Sequence, residues 1–300
     1  MKKKSKQKKK KRNYRRERTF LDYKVDYHIH SYYSDGTMSP VELVKKYNEE
    51  DYDIISITDH DNIKAFSEAK IAGEALDITV VPGVELSTEY GLTLAADADE
   101  QHPAGTEAAI ELHLLGYQFD PQNAALVSKL AELEENRRAR NEKLAAVLNE
   151  MGYPVDLAAL AAASKGGYVG KPNIARAWVA QGLIPCMQDA WEPGRLFESP
   201  QVKAIRKTKI KTTEAIALLL QAGGMPVLAH PGKIRGIGAR DSAAYWTNFA
   251  VLLRELKKAG LKGLECFYPT HSEAEVFRFV ELAGKLHLHM TEGSDFHGEE

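Results

Sequence analysis

Three hundred residues (33.3 kDa), 44% of them hydrophobic and 27% charged, are enough for one large domain or two ordinary ones with a sizeable buried core, and they exclude global disorder. The only two cysteines, Cys186 and Cys266, exclude a disulfide-stapled fold and indicate a reduced, cytoplasmic protein; no apolar run approaches the ~20 residues that span a bilayer, so no membrane partner is expected. The net charge of −2 hides an asymmetry: residues 1–18 hold 12 of the 40 basic residues and one of the 42 acidic ones, leaving 28 against 41, or −13, for residues 19–300.

Residues 1–18 form a polybasic run without apolar periodicity and are expected to be a disordered tail. The alternatives for it are a solubilising segment or an arm making non-specific contact with RNA or another polyanion. Residues 19–27 carry charges and do not form the apolar stretch of a secretory leader. From there, β-rich runs at 25–29, 53–58, 78–87, 110–116, 226–229, 262–268 and 287–291 alternate with helical patterns at 40–50, 63–76, 213–222, 243–259 and 272–286. Ser39 before Pro40 is an expected N-cap, and Gly260 an expected left-handed helix end. Such alternation implies parallel βαβ units, and about seven strands in this order suggest a barrel. Two stretches break the rhythm. Residues 92–109 read as an inserted loop or hairpin. Residues 121–211 read as a helical insert, with a long helix at 123–151 and shorter ones at 155–163 and 172–181.

The histidines cluster at strand ends. His28 and His30 share one face of the first strand by period two, and Asp35 follows in a Ser-Asp-Gly turn. His60 ends the second strand, Glu85 and His113 lie within the third and fourth, His230 ends the fifth, and Asp295 and His297 follow the seventh. On a parallel barrel these groups would converge on the C-terminal face. Imidazoles and carboxylates without thiolates suit Zn, Mn or Fe, and nine such ligands exceed the needs of one ion. Two or three divalent ions with a bridging carboxylate are therefore expected. Among the other histidines, His102 is expected to be solvated, while His287 and His289, sharing a strand face, are expected to be structural or a minor site. His271 is a candidate substrate contact.

The series His28-Ile29-His30, Ser34-Asp35-Gly36, Ile57-Thr58-Asp59-His60-Asp61, Pro82-Gly83-Val84-Glu85, His113-Leu114-Leu115-Gly116-Tyr117, Ala229-His230-Pro231 and Gly293-Ser294-Asp295-Phe296-His297 resembles the PHP family, named for polymerase and histidinol phosphatase, and most closely its stand-alone nucleotide-directed phosphoesterases. The resemblance implies an α/β fold, a distorted (β/α)7 barrel over 19–120 and 212–300, with residues 121–211 as a small inserted helical domain and substrate lid. It also implies a trinuclear site. One metal would take His28, His30, Glu85 and Asp295; a second would share Glu85 and take His113 and His230; a third would take Asp35, His60 and His297.

The implied chemistry is attack of a metal-activated water on phosphorus. Asp61 or His271 is the candidate acid, and Asp59 and Asp61 could instead orient a ligand histidine. Arg137, in Asn136-Arg137-Arg138-Ala139-Arg140, is a candidate for a second phosphate; the alternative is a solvated face paired with Glu134 and Glu135. Lys171, Asn173 and Arg176 lie in a segment similar to a family GRPHIAR run, with Lys and Asn where Arg and His are usual. Tyr268 or Phe267 would stack on a base or pack in the core. The expected activity is hydrolysis of phosphomonoesters of nucleotides, such as nucleoside 3′,5′-bisphosphates or AMP. The alternatives are a 5′→3′ exonuclease on short RNA, a histidinol phosphatase and a non-catalytic RNA-binding protein. The chain ends two residues after Gly298 with no helix following the seventh strand, which leaves either a truncated sequence or a barrel that closes differently.

Overall fold

The computed structural model describes residues 23–298; the basic run at 1–18 lies outside the described residues. Eight strands form one sheet in the order β1-β2-β3-β4-β6-β7-β8, with β5 added beside β3. They are β1 (Val25–Ile29), β2 (Ile54–Ile57), β3 (Thr79–Thr93), β4 (Glu107–Tyr117), β5 (Ile210–Lys211), β6 (Met225–Leu228), β7 (Gly263–Phe267) and β8 (His289–Glu292). The helices are α1 (Pro40–Glu49), α2 (Ala65–Leu76), α3 (Ala124–Glu150), α4 (Leu157–Ala163), α5 (Lys171–Ala180), α6 (Pro200–Lys203), α7 (Thr212–Gln221), α8 (Ala243–Lys258) and α9 (Glu273–Lys285).

Local chemistry sets most of these boundaries. Ser39 caps α1 in a reciprocal box with Glu42, Asn123 caps α3, Ser242 caps α8, and Ser272 pairs with Glu275 at the start of α9. Gly260 takes a φ of 109° after α8, as its position implies.

Two expectations are corrected. The sheet is not wholly parallel: β4 runs antiparallel to both β3 and β6. His287 and His289 do not share a strand face; β8 starts at His289, His287 precedes it at a φ of 50°, and both are exposed. The break at 92–109 takes the hairpin form of its two expected readings: β3 runs to Thr93, which pairs with Glu107 at the start of β4, and residues 94–106 connect the two strands.

Past β8 the chain returns to β1. The Asp295 N–H donates to His28 O at 2.8 Å and the His30 N–H to Phe296 O at 2.9 Å, with Ile29 and Phe296 in parallel register. One apolar cluster, including Leu86, Leu114, Phe249, Leu264 and Phe279, lies between the sheet and α7, α8 and α9. Another, around Leu148, Ile174, Trp178 and Phe197, lies among the elements of 144–202. No helix among the described residues is long and apolar enough to cross a membrane.

Candidate metal centre

All nine expected ligand residues meet in one web at the ends of β1, β2, β6 and β8 and within β3 and β4. Glu85 is its hub, fully buried on the inward face of β3. Its Oε1 lies 2.8 Å from His113 Nδ1, 3.0 Å from His230 Nε2 and 3.4 Å from His28 Nε2, while Oε2 lies 2.8 Å from His60 Nδ1 and 3.4 Å from His30 Nε2. Asp295 Oδ1 faces His28 and His30 at 3.4 and 3.1 Å. Asp35 faces His60 at 3.6 Å and His297 at 3.3 Å. Three subsets bring their ligand atoms within 4.8 Å of one another: His30 with Asp35, His60 and His297; His28 with His30 and Asp295; and His60 with Glu85 and His113.

The donors fit divalent cations. Nε2 of His28 and His30, Nδ1 of His60 and His230, Asp35 Oδ1 and Glu85 Oε2 are buried without a hydrogen-bond partner. His60 Nδ1 and Glu85 Oε2 are close but misaligned for a hydrogen bond. Orphaning six polar atoms in one buried site is costly unless ions satisfy them. Burial raises the Glu85 carboxyl, but the imidazoles of His60, His113 and His28 outweigh it and hold the group well below the usual carboxylate range. Asp295 is depressed likewise, burial being overcome by His28 and His30. The backbone is strained here too. His230 and Asp295 adopt φ of 23° and 54°, and Asp61 adopts 52°.

A supporting layer fixes the ligands. Glu265, buried in β7, accepts from His28 Nδ1 at 2.9 Å and from the His230 N–H at 2.6 Å, which turns His28 Nε2 toward the web. The Ser34 and Ser31 hydroxyls and the Ser31 N–H donate to Asp59, and Ser34 Oγ is 3.3 Å from His30 Nδ1. Tyr268 does not stack in the open: its hydroxyl donates to Asp295 Oδ2 at 2.8 Å, and its ring is buried. Phe267 is exposed on the neighbouring groove with Tyr52 and Glu292.

The two acid candidates have other partners. Asp61 is fully buried. Its Oδ1 accepts from the Ser87 N–H at 2.9 Å, and its Oδ2 faces Lys207 Nζ and, at 3.5 Å, Arg137. Burial pushes its pKa up, and Lys207 and Arg137 outweigh that and hold the carboxyl below the usual carboxylate range. His271 accepts at Nε2 from the Gly232 N–H at 3.2 Å and donates from Nδ1 to Cys266 O at 3.0 Å, so both ring nitrogens are committed to backbone.

Arg137 and Arg138 divide the two readings of their segment: Arg137 is buried over the Tyr168 ring, whereas Arg138 is exposed and pairs with Glu134 and Glu135. Lys171 lies over the Phe197 ring, its pKa lowered by burial and by Arg140. The Asn173 side chain accepts from the Gly170 N–H at 2.9 Å, which makes it a helix-start clamp for α5. Arg176 donates to Asp35 O at 2.7 Å. His102 is exposed in the 94–106 connection against Asp99. Glu265 and Lys207 escaped the sequence reading. A carboxylate inside the apolar run Gly-Leu-Glu265-Cys-Phe is a signal for the first, while Lys207 is hidden in a lysine-rich stretch.

The site opens into a cavity of about 970 Å³ lined by His60, His113, His230, Lys233 and Arg235 among others. The family model for the PHP domain matches residues 26–189. The chain belongs to the PHP family. This PHP protein is 26% identical over 281 residues to the 3′,5′-nucleoside bisphosphate phosphatase of Chromobacterium violaceum, a match covering 91% of this chain and 87% of that one. It is 27% identical over 277 residues to the phosphoribosyl 1,2-cyclic phosphate 1,2-diphosphodiesterase of Eggerthella lenta, covering 91% and 94%. The 5′-3′ exoribonuclease Rnm of Escherichia coli is 27% identical over 274 residues, covering 91% and 84%. Among solved structures, a Chromobacterium violaceum protein described as an amidohydrolase superimposes with a TM-score of 0.74 at 25% identity over 91% of this chain and 87% of that one. A Bifidobacterium adolescentis protein described as a metal-dependent phosphoesterase gives 0.72 at 26% identity over 92% and 88%. The PHP chain is a metal-dependent phosphoester hydrolase.

Proposed function

We propose that this PHP hydrolase removes phosphate from nucleotides, such as nucleoside 3′,5′-bisphosphates or AMP. The observation that carries the reading is the Glu85-centred web with its orphaned ligand atoms, opening into a cavity of nucleotide size. The hydrogen bonds joining β1 to the segment after β8 support a distorted (β/α)7 barrel, and the separate apolar cluster of 144–202 supports that part of the 121–211 segment as a helical insert that covers the site, while Leu126, Leu130 and Leu133 of α3 anchor it on the main core. Two unpaired thiols support a cytoplasmic location.

Three ions of Mn, Fe or Zn would be held by His28, His30, Glu85 and Asp295, by Glu85, His113 and His230, and by Asp35, His60 and His297. The grouping of His28, His30 and Asp295 supports the first site and that of Asp35, His60 and His297 the third, with His30 also near the third; around the second, Glu85 and His113 group with His60, and His230 reaches Glu85 Oε1 at 3.0 Å. Bound there, divalent ions supply charge neutralisation for the phosphate oxygens and activation of a water.

The protein's own groups do the rest. Glu265 holds the His28 tautomer and Asp59 the His30 loop. Tyr268 and Lys233 fix Asp295, and Asp61 anchors Lys207 and Arg137, the latter also beside His60 O, so that their positive charge favours an anionic substrate. Arg137, Lys171 and Arg176 are the groups of the insert closest in chemistry to a second-phosphate site.

The test offers adenosine 3′,5′-bisphosphate, AMP, a 5′-phosphorylated RNA trimer and histidinol phosphate to the Mn²⁺-loaded protein, with His30→Ala as control. Phosphate release from the nucleotides that is lost in the variant supports the reading; turnover of histidinol phosphate alone overturns it.

A further inference from the structure

The three tryptophans are used differently. Trp178 is buried and donates to Pro154 O at 2.9 Å, and Trp246 donates to Asp241 at 2.8 Å. Trp191 is 37% exposed, and its indole N–H donates to no described residue. A wet, unpartnered indole in a folded protein invites a ligand, because tryptophan combines a large apolar face with a donor that wants an acceptor. Its ring is also held in place. It ends the turn Met187–Trp191 and lies 5.1 Å from the buried ring of Phe197, which stacks at 5.3 Å on Trp178.

Two cavities meet at this residue. Trp191, Asp295 and His297 line both the 970 Å³ cavity and a second one of about 630 Å³ that runs past Asp35 and Arg176. Each alone has the size of a small-ligand pocket, so the joined space exceeds the needs of one nucleotide. A guanidinium stands in each arm. Arg176 is tied to Asp35 O, while Arg235 is exposed and makes no ion pair among the described residues. Of the carboxylates lining the larger arm, Glu85 and Asp295 belong to the histidine web, and Glu111 and Glu198 are paired with Lys209 and Lys203.

We propose that Trp191 is a specificity-determining residue on which a base of a single-stranded oligonucleotide stacks, with the strand continuing on both sides of it. Stacking on a fixed aromatic ring beside unpaired cations is how proteins hold single strands without reading sequence. The proposal rests on the nucleotide reading above and narrows its substrate class from mononucleotide to oligonucleotide.

The test uses the full-length, metal-loaded protein and its Trp191→Ala and Trp191→Phe variants. KM is measured for a 5′-phosphorylated RNA trimer, the same trimer with abasic sites, and AMP. Binding of a phosphorothioate-linked trimer is followed by quenching of tryptophan fluorescence. The expected result is a roughly tenfold rise in KM for the trimer in Trp191→Ala, most of it restored by Phe, with the abasic trimer unaffected. Quenching should be present in the wild type and largely absent from Trp191→Phe although that variant still binds. An equal effect on the abasic trimer, or quenching unchanged in Trp191→Phe, overturns the stacking role. Equal Trp191 dependence for AMP and trimer overturns the oligonucleotide assignment. If no nucleotide is hydrolysed, the activity reading fails, while the quenching experiment still reports on the stacking site separately.

Discussion

Glu265 Oε1 sits 2.9 Å from His28 Nδ1, a buried contact between the first and seventh strands that leaves only Nε2 of that imidazole for the web. The same carboxylate takes the His230 N–H, so one side chain of β7 orients two candidate ligands. Glu265→Gln should therefore weaken metal binding by about 10–100-fold while leaving the fold intact. A competition titration with a metal-chelating dye checks this. Unchanged affinity would remove the positioning role.

Asp61 is expected to act on stability and on cation placement without donating a proton. Asp61→Asn leaves the buried Lys207 and Arg137 without their counter-charge and should cost about 3 kcal/mol in urea unfolding. Adding Lys207→Met should recover part of that loss, which a double-mutant cycle measures.

Arg240 grips Glu275 through two contacts, 2.6 and 2.8 Å long, tying the loop after His230 to α9. This bond to Arg240 holds the Glu275 carboxyl down at about 2, against an ordinary 4.5. Its contribution to stability is complete above pH 4.5 and drains away as the pH falls toward 2. Glu275→Gln should lower the urea midpoint at pH 7, and the gap from wild type should narrow below pH 4.5.

Gly293 shows how closely the backbone after β8 approaches the ligands. A Cβ there would stand 2.2 Å from His28 Cβ and 2.6 Å from Glu265 Oε1. Gly293→Ala should cost at least about 1–3 kcal/mol by overpacking and should lower metal content together with thermal stability.

Much of the site was legible because its logic is local. Period two put His28 and His30 on one face, turn chemistry brought Asp35 back, and Ser39 and Gly260 marked the start of α1 and the end of α8. Strand direction was not legible: the alternation of strands and helices suggested parallel units, whereas β4 reverses through a hairpin whose pairing is set by the opposite strand. Nor could sequence separate Arg137 from Arg138, adjacent on α3, because burial over Tyr168 against exposure to Glu134 depends on what that helix meets. The pairing of Asp61 with Lys207 was hidden for a similar reason, since the two lie 146 residues apart.

The most direct test of the account is phosphate release from adenosine 3′,5′-bisphosphate by the protein stripped with chelator and then reloaded with Mn²⁺, alongside Glu85→Gln. The account predicts no turnover when stripped, recovery on reloading, and a loss of at least about 10³-fold in Glu85→Gln together with reduced bound metal. Full activity in the stripped protein, or wild-type turnover by Glu85→Gln, would contradict it.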